Sequence, residues 1–326
     1  FAKEIEAFRK AMKKNVGEEA YITWFTPVRF VKIDKVEGGY DLTLEVPSKF
    51  VYDMIESKYL AQLRESLQTG FKKKKYTGTD TGTKIRWKPD LEVFTDIDIK
   101  PEYFLDIIKR QAIVNAGLRF IFKNQIGENF DVTEFNYENG IVDHVRELVG
   151  EDFLTPVQFW TGEKKVRDRE DKPYYKTKIN VAFAFSNKMS LSEYYHNSSW
   201  LEYGGAPEKA VKNAFVYQID AYLKQNGKYN KNESKITFAD VEDCLVIVVS
   251  SFSNVTSYEN QTKKSITNKG IQDAMVEMFR HQLEVYFIEN PLDADKISVQ
   301  VLVNKRSRED AEKTRLNIKK KLTSNM

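Results

Sequence analysis

Few residues in this chain are spaced to do chemistry. The three histidines, His144, His196 and His281, lie far apart and lack the spacing of metal ligands. They read as surface or interface residues, and no metal ligand is assigned. No G-x-S-x-G elbow, P-loop or G-x-G-x-x-G is present. A hydrolase or dehydrogenase complete within this chain therefore has no support. The stretch best suited to act on an anion is SYENQTKKS at 257–265, which holds Gln261, Lys263 and Lys264. It follows the very apolar run 244–249 and precedes a helical pattern. Such a polar loop can be a solvated connection. It is also where a lysine that must reach a ligand would stand, because a lysine ammonium is a compact charge on a flexible stem. On the residues alone the solvated connection is the favoured reading.

The elements that must position these residues follow from periodicity. Residues 1–70 read as a small α/β unit. Ile5, Phe8, Met12 and Val16 lie at helical spacing, and Pro27 ends the helical possibility. Residues 30–33 and 40–46 read as two strands around Gly38-Gly39. Ser48 reads as the N-cap of a second helix that ends at Gly70. The run FKKKKYTGTDTGT at 71–83 reads as a boundary. It is read as a solvated linker rather than a phosphate-binding patch, because no aromatic residues are interleaved through the lysines. Beyond it, strands are expected at 85–87, 118–122, 176–185 and 243–251. Helices are expected at 101–116 (with Gly117 as C-cap), 137–149, 208–223, 269–287 and 307–322. The order indicates an α/β or α+β domain of about 245 residues.

Composition sets bounds on the class. The 326 residues allow two or three domains. Net charge is +3, too small an excess for a protein that coats DNA. No apolar run approaches the ~20 residues that span a bilayer, and no signal-peptide pattern opens the chain. Cys244 is the single cysteine, so no internal disulfide can form and a reducing compartment is inferred. Opening on Phe1 rather than Met, the chain reads as trimmed at its start.

Several motifs resemble, in order, the end of the ATPase region of type IIA DNA topoisomerases, a gyrase B-like pattern. They are TGTKIRWKPD at 81–90 followed by Phe94, RQAIVNAG at 110–117, FNYENGI at 135–141, Gly204-Gly205, Gln261-Thr262-Lys263, and the charged helix at 307–322. Each triplet is weak alone, whereas five or six in order over about 245 residues are specific. The resemblance implies a transducer domain at 84–326 with a ribosomal S5 domain 2-like fold: α+β, a mixed sheet with helices on one face and a long C-terminal helix. It also implies that Lys263, assisted by Gln261, senses the γ-phosphate of Mg-ATP. Most of that ATP site would belong to a nucleotide-binding domain whose acidic base, magnesium-binding Asn and glycine-rich lid are not found before residue 78. The chain is thus expected to be incomplete for ATP hydrolysis and DNA cleavage. The implied partners are DNA, through the remainder of a topoisomerase, and further subunits in a homodimer or heterotetramer, with no membrane. The implied setting is cytoplasmic, bacterial or phage, and nucleoid-associated. Pro207 stands where the family usually has His after the glycine pair, so no role of that His transfers.

Residues 1–70 resemble a different family, domain I of the replication initiator DnaA. The resemblance rests on YITWFTP at 21–27, LTLEVPSKF at 42–50, and Lys58-Tyr59. It implies a protein-interaction module that contacts a replicative helicase, regulators or itself. Phe50 sits at a position that contributes to helicase contact, and Trp24 of the first motif is the second candidate interaction residue. Core packing is the competing reading for both, favoured for Trp24 and evenly balanced for Phe50. The family's acidic contact aligns with Ala20, beside Glu19. Two functions therefore stand at this stage. One is a topoisomerase component that relays ATP state, and the other is a non-enzymatic replisome adaptor. Transducer relatives in chaperone and mismatch-repair ATPases fit the motif order less well.

Overall fold

The computed structural model describes residues 1–36, 39–71, 82–93 and 95–324. The chain divides into two compact units, Phe1–Ile99 and Lys100–Met326. Most of the expected linker, and Phe94, lie outside the described residues.

In the first unit, α1 (Ala2–Val16) is followed by the short turn α2 (Glu18–Ala20) and a π-helical turn Tyr21–Phe25. Strands β1 (Arg29–Val36) and β2 (Gly39–Glu45) pair antiparallel, Arg29 opposite Glu45. Helix α3 (Lys49–Met54) passes through a second π-helical turn, Ile55–Tyr59, into α4 (Leu60–Gly70). Ser48 caps α3 as expected, its Oγ accepting from the Val51 N–H at 3.3 Å. Phe8, Met12, Phe25, Val28, Ile55, Tyr59 and Phe71 form the core. α1 and α4 cross so closely that a Cβ on Gly70 would lie 2.6 Å from that of Phe8. The expected strand at 85–87 is absent: residues 82–90 form no ladder with any described strand, and an unpaired strand has no hydrogen bonds to define it.

The second unit begins with α5 (Pro101–Val114) and the hairpin β3 (Arg119–Ile126) and β4 (Asn129–Asn136). α5 ends earlier than Gly117, at Asn115, whose side-chain amide donates to the Gln111 carbonyl at 2.8 Å. Then follow α6 (Ile141–Val149), β5 (Gln158–Val166), β6 (Tyr175–Phe185), β7 (Leu191–His196), β8 (Ser199–Trp200), α7 (Ala206–Gln225), α8 (Phe238–Glu242), β9 (Leu245–Ser253), α9 (Lys269–Glu289) and α10 (Pro291–Ser324). The five-stranded sheet has the order β5-β6-β9-β7-β8. It is mixed, with β7 parallel to β9 and the other pairs antiparallel.

The expectation of helices on one face is corrected by the two-residue period of β6 and β9. Val181, Phe183, Phe185, Leu245, Ile247 and Val249 pack with α7, α9 and α10 on one face. Ala182, Ala184, Val246 and Val248 pack on the other face with Ala112 and Ile113 of α5 and Val145 of α6. Small residues on the second face let those helices approach. The charged helix expected at 307–322 is the exposed end of a much longer one, whose first half buries Ala294, Ile297, Val301 and Leu302.

α10 is anchored by charge as well as by packing. Lys305 is fully buried and lies 3.1 Å from both Glu233 and Glu309. Arg306 also grips Glu233, and Arg308 grips Asp240 at 2.7 Å. Asp240 is itself half of the capping box that starts α8 with Thr237. The hydrogen bond from Arg306 leads the interactions that lower the Glu233 pKa to about 2. Because that pKa is depressed below its unfolded value of ~4.3, the stabilisation is present above that value and is lost as pH falls toward 2. Lys305→Ala should cost about 2 kcal/mol in chemical denaturation, since it removes a fully buried ammonium and its charge-assisted hydrogen bonds while Glu233 keeps Arg306. In Glu233→Gln, the fall in melting temperature between pH 5 and pH 3 should be shallower than in the wild type.

Candidate functional site

The loop from 257 to 267 is built as a pinned base with a free tip. At the base Tyr258 and Ile266 form an antiparallel bridge. Two backbone bonds flank it, Glu259 N–H to Ser265 C=O at 3.0 Å and Thr267 N–H to Ser257 C=O at 2.8 Å. Below the bridge, the Ser257 N–H donates to Asn268 Oδ1 at 2.7 Å. Asn268 is buried and donates in turn to Asp168 Oδ2 at 2.9 Å, and Asp168 Oδ1 accepts the Gly270 N–H that opens α9. The base is thus tied to the first turn of a long helix.

A third segment closes on the returning leg. The Tyr203 N–H donates to the Lys264 carbonyl at 2.9 Å, and the Ala206 N–H to the Ile266 carbonyl at 2.8 Å. Gly205 lies against this leg in parallel pairing. A Cβ on Gly205 would sit 2.3 Å from the Ile266 carbonyl oxygen, and its φ is 84°, so glycine is required twice over. The two motifs Gly204-Gly205 and Gln261-Thr262-Lys263, far apart in sequence, are one structure. Pro207 follows in the first turn of α7, where its missing N–H costs nothing.

At the tip a turn closes from the Lys263 N–H to the Asn260 carbonyl at 3.2 Å, and the Thr262 hydroxyl donates to Asn260 Oδ1 at 2.5 Å. Gln261, Thr262 and Lys263 are exposed. Lys263 has a left-handed backbone, φ 57°, which is uncommon outside glycine. Its Nζ lies 5.8 Å from the Tyr258 ring centroid, and it has no carboxylate partner among the described residues. Lys264 is different. It is half-buried, paired with Glu202, and lies 5.4 Å over the Tyr203 ring. Of the two adjacent lysines, one is spent on the fold and the other is available.

In the first unit, Phe50 is 66 % exposed and Trp24 is half-buried, their ring centroids 5.7 Å apart. Trp24 packs on the core, whereas Phe50 projects from the first turn of α3.

The histidine reading is corrected for two of the three. His281 is exposed, but His144 and His196 are buried. His144 Nε2 meets Glu193 Oε2 at 3.2 Å. His196 is fully buried at the end of β7, next to the start of the loop. The sequence signal for its setting was available: Asn197-Ser198 between two short β-type runs is a two-residue hairpin turn, and both residues have positive φ (48° and 63°).

Residues 140–317, more than half of the chain, match the family model for DNA gyrase B, and residues 6–69 match that for the DnaA N-terminal domain. The DNA gyrase B protein of Mycoplasmoides gallisepticum is 27% identical over 241 residues, covering 72% of this chain and 37% of its own. The gyrase B protein of Thermotoga maritima is 26% identical over 244 residues, covering 74% and 37%. Among solved structures, the 43K ATPase domain of Thermus thermophilus gyrase B, in complex with an aminocoumarin, superposes with a TM-score of 0.51 at 23% identity, covering 70% of this chain and 59% of that one. The topoisomerase IV ATP binding domain of Francisella tularensis gives 0.51 at 20% identity, covering 68% and 57%. These likenesses concern the fold. The chain spans little more than a third of the length of the curated relatives it matches. With the match to more than half its residues, the chain belongs to the DNA gyrase B family.

Proposed function

We propose that residues 84–326 act as the transducer part, S5 domain 2-like in fold, of an ATP-dependent type II DNA topoisomerase. In this reading Lys263, assisted by Gln261, contacts the γ-phosphate of Mg-ATP bound by a nucleotide-binding domain, and the loop relays that contact toward DNA-strand passage. The observation that carries the reading is the division of labour between the two lysines. Lys264 is neutralised by Glu202, while Lys263, without a carboxylate partner among the described residues, stands at the tip of a loop whose base is fixed. An exposed ammonium without a carboxylate fits an anionic oxygen, and an adjacent amide side chain can donate to the same group. ATP supplies the terminal phosphate whose presence or loss is sensed. Gln261 and Lys263 would touch that end alone. When the phosphate leaves, the charge loses its partner, and the grip of the leg on Gly205 and α7 carries the change into the sheet.

A second reading concerns the first unit. Residues 1–70 act as a DnaA domain I-like interaction module, for which the exposed Phe50 ring beside Trp24 is the anchor. Its partner would be a replicative helicase or a second copy.

Both readings make measurable predictions. When the full chain is mixed with a separately supplied gyrase B nucleotide-binding domain, Lys263→Ala should lower ATP turnover on the order of tenfold or more, and Lys264→Ala should leave it close to wild type. Equal turnover in wild type and Lys263→Ala would remove the mechanism. For the first unit, Phe50→Ala should weaken helicase capture or self-association on the order of tenfold, read by pull-down and sedimentation. Unchanged association would assign Phe50 no interface role.

A further inference from the structure

The outgoing leg of the loop, 253–256, is held by the turn between β7 and β8. The Asn197 N–H donates to the Ser251 carbonyl at 2.8 Å. The Asn197 amide donates to the Ser253 carbonyl at 2.9 Å and accepts the Ser253 N–H at 3.0 Å. His196 sits behind this turn with both ring nitrogens engaged, Nδ1 at 2.8 Å from Ser251 Oγ, and Nε2 at 2.9 Å from Thr256 Oγ1 and 3.4 Å from Ser253 Oγ.

The surrounding hydrogen bonds assign the proton. The Ser251 hydroxyl donates to the Tyr195 carbonyl at 3.3 Å, so its oxygen is left to accept from His196. The Ser253 hydroxyl is used on the Val255 carbonyl at 2.6 Å. Thr256 Oγ1 accepts from Asn197 Nδ2 at 3.2 Å, so its own hydrogen is free for the Nε2 lone pair. An imidazole protonated on Nδ1 and bare on Nε2 gives each of the two short contacts, to Ser251 and to Thr256, one donor and one acceptor, and leaves the longer Ser253 contact outside the set.

We propose that His196, as this one neutral tautomer, is the positioning residue of the loop: it receives the Thr256 hydroxyl and so fixes the outgoing leg of the segment that carries Gln261 and Lys263. The returning leg is fixed separately, by Gly205. The tip is thus held from both legs. Burial lowers the His196 pKa to about 4, in agreement with a neutral ring. Gln111 of α5 donates to the Ser198 carbonyl at 2.9 Å, which ties α5 to the same turn. The functional consequence rests on the reading of this loop as a phosphate sensor. The positioning itself does not.

Two measurements on the full chain without nucleotide test it. Long-range proton–nitrogen correlation of the ¹⁵N-labelled protein at pH 7 should report His196 as the Nδ1–H tautomer; an Nε2–H tautomer or an imidazolium overturns the assignment. In Thr256→Val, amides of 257–267 should exchange about tenfold faster, the equivalent of one hydrogen bond's net contribution, while β6 and β9 amides keep their protection. Thr256→Ser should restore the slow rate. Unchanged loop exchange in Thr256→Val, a loss of protection spread across the sheet, or no rescue by serine would each overturn the proposal. Because nucleotide is absent throughout, such a failure is distinct from failure of phosphate sensing in the turnover assay.

Discussion

The contact on which the candidate site depends is a backbone-to-backbone approach. Gly205 presses against the 264–266 leg so closely that any side chain would collide with the Ile266 carbonyl. That approach lets the Ala206 N–H reach the same carbonyl and the Tyr203 N–H reach Lys264. It fixes the start of α7 relative to the loop. Once these are fixed, Lys264 falls beside Glu202 and is neutralised, and the exposed charge is left to Lys263. The chemistry offered by the tip is thus a consequence of a glycine in another part of the chain.

Buried polar groups play a second, separable role. Three sets of them in the second unit join elements distant in sequence. Lys305 with Glu233 and Glu309 joins α10 to the segment before α8. Asn268 with Asp168 and Tyr175 joins the loop base to α9. His196 with Ser251 and Thr256 joins β7 to the outgoing leg. Each set links elements distant in sequence, and each is directional, so it specifies a position that apolar contact alone would leave adjustable. Removing one member costs its partners a hydrogen bond in a desolvated setting, which makes these positions sensitive to substitution.

Where the sequence is legible, a local signal and the tertiary demand agree. β6 and β9 are readable because alternation and strong apolarity coincide there, and Ser48 because a cap acts on its own helix. Other features need partners that no local pattern announces. β4 carries no clear signal because NFDVTEFN has mixed polarity, and only its pairing with β3 makes it a strand. The first half of α10 escapes a periodicity reading because it packs against three helices, α7, α8 and α9. The burial of His196 depends on a turn and two hydroxyls 55 and 60 residues away. At the candidate site the loop is visible as a polar interruption, and its motif resemblance singles out Lys263 over Lys264. The physical reason for that choice, the Glu202 pair, comes from the fold alone.

The central claim is that Lys263 reports a terminal phosphate, and hydrogen exchange at the tip tests it most directly. With a gyrase B nucleotide-binding domain supplied, amides of 260–263 should become protected by a non-hydrolysable ATP analogue and remain as fast with ADP as with no nucleotide. Equal protection by both nucleotides, or by neither, would contradict the account.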